Sequence, residues 1–245
     1  MHTILHGDCL EVMEGIKNNS IDMILCDLPY GTTACKWDIP IPFTLLWKQY
    51  IRIIKKHGAI VLHASQPFTS MLVMSNLSMY RHCWVWNKNN SAGFVTAKIR
   101  PFQICEDIVV FGLQKVNYYP QMEIRGKPRN KGGYTVSDNY NVIPTKSEIK
   151  SNEYYPKNLI NISNAVQIGK LHPTQKPVEL CEYLVKTYTQ EGELVLDNCA
   201  GSGTTGVACK NLGRQFILIE KEKEYCEVIS KRLQQEYIEG KDFNV

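Results

Sequence analysis

Two short stretches of the chain carry residue types arranged for chemistry. The first, Asp197-Asn198-Cys199-Ala200-Gly201-Ser202-Gly203-Thr204-Thr205-Gly206, follows an apolar run and leads into a helical pattern. Glycines at such a turn let the backbone approach a ligand closely, and the helix start offers free N–H donors. Glu220 stands nineteen positions after Gly201, at the end of the next apolar run. A carboxylate there is suited to gripping the two hydroxyls of a ribose. The stretch reads as a nucleoside-cofactor site, and because it satisfies G-x-G-x-x-G a nicotinamide is one candidate. The second stretch, Asp27-Leu28-Pro29-Tyr30-Gly31, directly follows a buried-strand pattern with Ile21, Met23, Ile24 and Leu25. Taken alone it could be a proline turn capped by Asp27. In open α/β sheets ligands bind beyond the carboxyl ends of the strands, so both stretches should face one crevice.

The elements that must position them alternate. Thr3 to His6 reads as a strand, Leu10 to Ile16 as a helix, Ser20 to Cys26 as a buried strand and Phe43 to Ile54 as an amphipathic helix. Lys55, Lys56, His57 and Gly58 look like that helix's stop signals. Ala59 to Ala64 is then a strand, Pro67 to Leu77 a helix, and Cys83 to Trp86 and Ile104 to Phe111 two strands. Trp84 and Trp86 alternate and should share one packed face. His63 ends its strand, as a satisfied core or rim histidine or a border of the crevice. After a break the pattern resumes: a helix opened by Pro177, a strand Leu194 to Leu196, a helix Gly203 to Leu212, a strand Phe216 to Ile219 and a helix Glu222 to Tyr237. Strands alternating with helices predict βαβ units and an α/β sheet, mostly parallel.

Composition agrees. The 245 residues are 44% hydrophobic and 21% charged, which excludes a disordered or fibrous chain. No run approaches the roughly 18 apolar residues of a membrane span, and the first residues lack a signal-peptide pattern. Nine scattered cysteines with no C-x-x-C pair predict reduced, mostly buried thiols, a cytoplasmic location and no metal site. The net charge of +4 is unevenly placed. Leu113 to Lys170 holds nine Lys/Arg against four Asp/Glu, and the rest of the chain nineteen against twenty. The same segment holds six of the thirteen tyrosines. It reads either as a solvated insertion or as an electrostatic footprint for nucleic acid, with Arg125, Lys127, Arg129 and Lys131 as the candidate phosphate contacts.

Together the motifs become specific. Asp27-Leu28-Pro29-Tyr30 resembles the D-P-P-Y catalytic motif of amino-group DNA methyltransferases, and Asp197 to Thr205 resembles their S-adenosylmethionine loop. His172-Pro173-Thr174-Gln175-Lys176-Pro177 is similar to the family element at the methionine end of the cofactor, and Gly7-Asp8 to the acidic motif on its adenine side. Their order is the permuted order of the β class, and the D-L-P-Y-G-T-T form resembles phage and prophage enzymes. The resemblance spans nearly the whole chain. It implies a Rossmann-like methyltransferase fold over residues 1–245, with a mostly parallel seven-stranded sheet, helices on both faces and an inserted target-recognition region at 113–170. It implies Asp27, Leu28, Pro29 and Tyr30 as catalytic residues. It implies a cofactor set of Asp8, Cys9, Asp27, His172, Thr174, Lys176, Asp197, Cys199, Ala200, Gly201, Ser202, Gly203, Thr204, Thr205 and Glu220. Double-stranded DNA is the implied substrate, and a homodimer is common among β-class relatives. Leu28 departs from the usual first proline, at a position that contributes a backbone carbonyl. Asn198 and Cys199 depart from the usual Pro-Phe beside the cofactor.

The implied chemistry is transfer of a sulfonium methyl to adenine N6. An exocyclic amine has its lone pair delocalised into the ring, and two acceptors at its hydrogens, the Asp27 carboxylate and the Leu28 carbonyl, can localise it. Tyr30 offers a face for stacking a flipped base. Asp27 favours adenine because cytosine-N4 members usually carry S-P-P-Y; cytosine N4 is the alternative. A nicotinamide oxidoreductase leaves Asp27 to Tyr30 without a role. A non-catalytic DNA-binding module leaves the cofactor loop without one. Protein and RNA methyltransferases often carry N-P-P-Y.

Overall fold

The computed structural model describes residues 1–32, 35, 38–92, 97–130, 133–137, 140–145, 150–164, 175–240 and 243. The elements run β1 (His2–His6), α1 (Cys9–Glu14), β2 (Ile21–Asp27), α2 (Phe43–Ile53), β3 (Ile54–Ala64), α3 (Phe68–Ser75), β4 (Tyr80–Ala92) and β5 (Gln103–Phe111). They continue with β6 (Glu123–Asn130), β7 (Gly133–Ser137), β8 (Tyr140–Thr145), β9 (Lys150–Tyr154) and β10 (Leu159–Asn161). The last are α4 (Val178–Tyr188), β11 (Leu194–Asp197), α5 (Thr204–Asn211), β12 (Gln215–Glu220), α6 (Lys223–Leu233) and β13 (Ile238–Glu239).

The chain divides into two compact units, residues 1–119 with 158–245, and Pro120–Lys157. The larger unit is built on one sheet in the order β10-β4-β5-β3-β2-β11-β12-β1-β13. Among the described residues this sheet has nine strands where seven are expected. The two additions are short edge strands: β10 beside β4 over three residues and β13 beside β1 over two. Pairing is parallel except where β5 runs antiparallel to β3 and β4. Both faces of the sheet are buried, as parallel sheets require. In β2, Met23 and Leu25 point into one apolar layer, and Ile24 and Cys26 into the other. The first layer is covered by α4, α5 and α6 through Leu180, Leu184, Tyr188, Ala208 and Ile229. The second is covered by α1, α2 and α3 through Val12, Met13, Leu46, Tyr50 and Leu72. Trp84 and Trp86 share the first layer.

The stop signals read at the end of α2 need correction. Lys55, Lys56 and His57 do not close a helix; they lie in β3, which starts at Ile54. Their partners are tertiary: Lys55 Nζ is 2.7 Å from Asp22 Oδ1, and His57 Nδ1 is 2.8 Å from the Lys115 carbonyl. The smaller unit, Pro120–Lys157, lies within the segment 113–170. Val116 is buried and the Asn117 N–H reaches the His57 carbonyl, so 113–119 belongs to the larger unit. Ile160 and Ile162 are buried in its core likewise. Within the smaller unit β6 pairs antiparallel with β9, and β7 with β8.

Candidate active site

An open cleft of about 690 Å³ lies at the carboxyl ends of β1, β2, β11 and β12. Both motifs line it, as the topology demands. β2 delivers Asp27, Leu28, Pro29 and Tyr30 to one part of the wall. The loop after β11 delivers Asp197, Cys199, Ala200, Gly201, Ser202, Thr204 and Thr205 to another. β1 leads to Asp8 and Cys9, and β12 ends on Glu220.

The loop after β11 is held by two carboxylates, Asp197 at the end of β11 and Glu220 at the end of β12. Asp197 Oδ1 accepts from the Cys199 N–H at 3.1 Å, and Oδ2 from the Thr205 hydroxyl at 2.6 Å. Burial outweighs these bonds and pushes the Asp197 pKa up to about 6. Glu220 Oε2 accepts from the Gly201 N–H at 2.7 Å and Oε1 from the Glu222 N–H at 2.8 Å. Burial pushes its pKa up to about 7. Gly201 takes φ +52 on the cleft wall, a conformation that favours glycine. Gly203 does not line the cleft. It takes φ +74, and a Cβ there would stand 2.9 Å from Ile229 Cγ2, so its glycine seats α5 against α6. The two departures in the loop have local reasons. Asn198 Oδ1 accepts from the buried Tyr50 hydroxyl at 2.6 Å. Cys199 shares hydrogen bonds with the Cys9 and Cys26 thiols. The Cys199 contact and burial raise the Cys9 pKa, burial raises that of Cys26, and the Cys26 contact with burial raises that of Cys199. Such thiols are poor nucleophiles.

Asp8 caps α1, with Oδ1 accepting from the Leu10 N–H at 3.0 Å; Oδ2 meets Lys221 Nζ at 3.2 Å.

At Asp27 the site is strongly charged. Oδ1 accepts from the Tyr30 hydroxyl at 2.7 Å and Oδ2 from the Lys176 ammonium at 2.5 Å. Burial opposes ionisation of Asp27. The Lys176 charge, His63 and the two donated hydrogen bonds overcome it and hold the carboxyl below its ordinary value. Tyr30 stacks on Phe68 with ring centroids 4.7 Å apart. Pro29 disfavours helical backbone at Leu28, which restricts the turn that carries the Leu28 carbonyl. Asp38 fixes the next turn, accepting from the Gly31 and Thr32 N–H groups at 2.8 and 2.9 Å.

Lys176 joins Asp27, and Gln175 accepts from the Ser202 hydroxyl at 3.1 Å, so the element before α4 reaches both motifs. His172 and Thr174 lie outside the described residues, as does Lys131. Arg125, Lys127 and Arg129 belong to the smaller unit. Arg125 pairs with Glu123 and lies over the Tyr154 ring at 5.5 Å, while Lys127 and Arg129 are exposed.

The sequence reading missed Asp38, Lys88 and Glu106 on the cleft wall. The sequence leaves His63 between a satisfied core or rim histidine and a border of the crevice. The residue lines the cleft, with Nδ1 unpartnered among the described residues and burial pushing its pKa down to about 4. The available signal was register: His63 pairs with Asp27 across β2 and β3, so the two side chains share a sheet face.

Comparison with known proteins agrees with this geometry. The type II methyltransferase M.HpaI of Haemophilus parainfluenzae is 28% identical over 248 residues, covering 96% of this chain and 74% of its own. M2.LlaDCHI of Lactococcus lactis subsp. cremoris, also a type II methyltransferase, is 29% identical over 257 residues, covering 94% and 88%. The M1.HpyAVI–SAM complex superposes with a TM-score of 0.66 at 27% identity, covering 95% of this chain and 99% of that one. The cytosine-N4-specific PvuII DNA methyltransferase, 18% identical, shares the fold with a TM-score of 0.69 over 99% of this chain and 91% of its own. A model of the N6/N4 DNA methylase family matches residues 21–232, and the chain belongs to that family.

Proposed function

We propose that this chain transfers a methyl group from S-adenosylmethionine to the N6 amine of adenine in DNA. The observation that carries the reading is the Asp27 carboxylate, paired with the Lys176 ammonium and set at the end of β2 in the same cleft as the glycine loop and Glu220.

The residues fit the cofactor. Each Glu220 oxygen that accepts a backbone N–H can accept a second donor, which suits a ribose diol. Asp8 and Cys9 border the same side, and Gly201 keeps the wall free of a side chain. S-adenosylmethionine supplies an electrophilic methyl. Asp27 and the Leu28 carbonyl would accept hydrogen bonds from the two N–H groups of the target amine, one of which loses its proton on methylation. As that amine becomes tetrahedral its charge rises, and a carboxylate stabilises it more than the ground state. Tyr30 borders the position of the base and is itself braced by Phe68. The base reaches the cleft only when flipped from the duplex.

Adenine is favoured because an aspartate, not a serine, opens the tetrapeptide. Target recognition falls to the basic unit 120–157. The chain acts in the cytoplasm, where type II methyltransferases meet DNA, and a phage or prophage source suits the Asp-Leu-Pro-Tyr form. A homodimer is the expected assembly, with Met71, Met74 and Leu77 as exposed apolar surface, and light scattering tests it. Among the described residues no helix is long and apolar enough to cross a membrane. Long-read sequencing of host DNA with and without the expressed chain tests the function. N6-methyladenine in a fixed sequence context is expected; N4-methylcytosine would reassign the base, and unmodified DNA would overturn the reading.

A further inference from the structure

Both oxygens of Asp27 are already engaged, Oδ1 by the Tyr30 hydroxyl and Oδ2 by the Lys176 ammonium. An amine hydrogen that is to be held by Oδ2 therefore competes with a full cation. The Lys176 side chain is 12% exposed, so its charge cannot simply withdraw into water. A second carboxylate is within reach. Glu106 Oε2 lies 3.7 Å from the same Nζ, and it is buried with no hydrogen-bond partner among the described residues. Its other oxygen, Oε1, is fixed by Lys88 Nζ at 3.0 Å, and Lys88 is itself buried. An orphaned carboxylate oxygen in a buried site is costly, and it calls for a partner. Here the partner is a flexible ammonium that needs to move only roughly 1 Å to reach ordinary ion-pair distance.

We propose that Glu106 is a positioning residue for methyl transfer: its Oε2 receives the Lys176 ammonium when the target amine engages Asp27. The proposal rests on the methylation reading given above. The lysine stays buried and paired in both positions, held by Asp27 in the resting site and by Glu106 when the amine is present. Lys88 keeps Glu106 still, so the lysine moves and the carboxylate does not. Asp27 is thus kept ionised without its cation blocking the amine.

The test compares wild type, Glu106→Gln and Glu106→Asp. Single-turnover transfer of tritiated methyl from S-adenosylmethionine to unmethylated genomic DNA is measured, with affinity for S-adenosylhomocysteine, affinity for DNA and melting temperature alongside. Glu106→Gln keeps size and an acceptor but loses the charge. Its transfer rate should fall about thirty-fold, with both affinities within roughly twofold of wild type. Glu106→Asp keeps the charge and should recover much of the rate. If Glu106→Gln fails to fold, the paired change Lys88→Met with Glu106→Gln removes the cation left alone and is read in the same way. A Glu106→Gln rate within about twofold of wild type, or Glu106→Asp as slow as Glu106→Gln, overturns the proposal alone. A wild-type chain that labels no DNA overturns the methylation reading, and this proposal with it.

Discussion

Asp27 and Glu220 are both buried carboxylates, and their surroundings push them in opposite directions. Asp27 has a cation at 2.5 Å and stays ionised; Glu220 has only backbone donors and rises to about 7. Each difference is measurable. Asp27→Ala should abolish methyl transfer while S-adenosylhomocysteine still binds, and Asp27→Asn should leave a small residue of activity, since it keeps an acceptor without the charge. Near-normal turnover of Asp27→Ala would remove this residue from the chemistry. For Glu220 the sign follows from its partner. Ribose hydroxyls donate, so they bind the ionised carboxylate better than the acid. Affinity for S-adenosylhomocysteine should therefore rise as pH climbs through about 7 and level off above it. Glu220→Gln should weaken binding by roughly ten- to a hundred-fold and flatten that pH dependence in calorimetry. These two residues were legible in the sequence because each ends an apolar strand, so a local pattern located them. Glu106 and Lys88 were not. Their ion pair arises from the antiparallel pairing of β4 with β5, and their nearness to Lys176 arises from the tertiary fold. No spacing along the chain encodes it.

Elements were legible to the extent that their burial is periodic. β2 and β12 are buried on both faces, and Met23 to Cys26 and Phe216 to Ile219 read as continuous apolar runs. α4 buries Leu180, Cys181, Leu184, Val185 and Tyr188 on one face and reads as a helix. β13 and β10 are two and three residues long and owe their strand character to the neighbour they join, so they carry no pattern of their own. The junction of β11 with α5 shows why a glycine motif must be resolved residue by residue. Gly201 faces the cleft, whereas Gly203 faces Ile229. Gly203→Ala meets a positive φ and a close side chain together, and should cost about 1–3 kcal/mol of stability, seen as a lower urea midpoint. Because the added methyl points to α6, ligand affinity per folded molecule should change little. A large loss of affinity with an unchanged midpoint would place Gly203 against the cofactor after all.

At the scale of the whole molecule, charge is divided between the units. Pro120–Lys157 carries seven Lys/Arg and four Asp/Glu, while the cofactor cleft lies entirely in the larger unit. This division predicts that DNA affinity and cofactor affinity can be changed separately. Neutralising Arg125, Lys127, Arg129 and Lys131 together should weaken DNA binding across sequences and flatten its salt dependence, by a slope of roughly 0.9 for each duplex phosphate left without its cation. The four should not contribute equally. Lys127 and Arg129 are exposed and available to phosphates. Arg125 is already paired with Glu123 and lies over Tyr154, so its removal acts more through that small packing cluster than through a phosphate. The double change Lys127→Gln with Arg129→Gln should therefore capture more of the salt slope than Arg125→Gln alone. S-adenosylhomocysteine affinity should be untouched in all of these variants. Salt titrations of fluorescently labelled duplex measure the slopes directly, and variants with wild-type slope and affinity would move the DNA footprint off this unit.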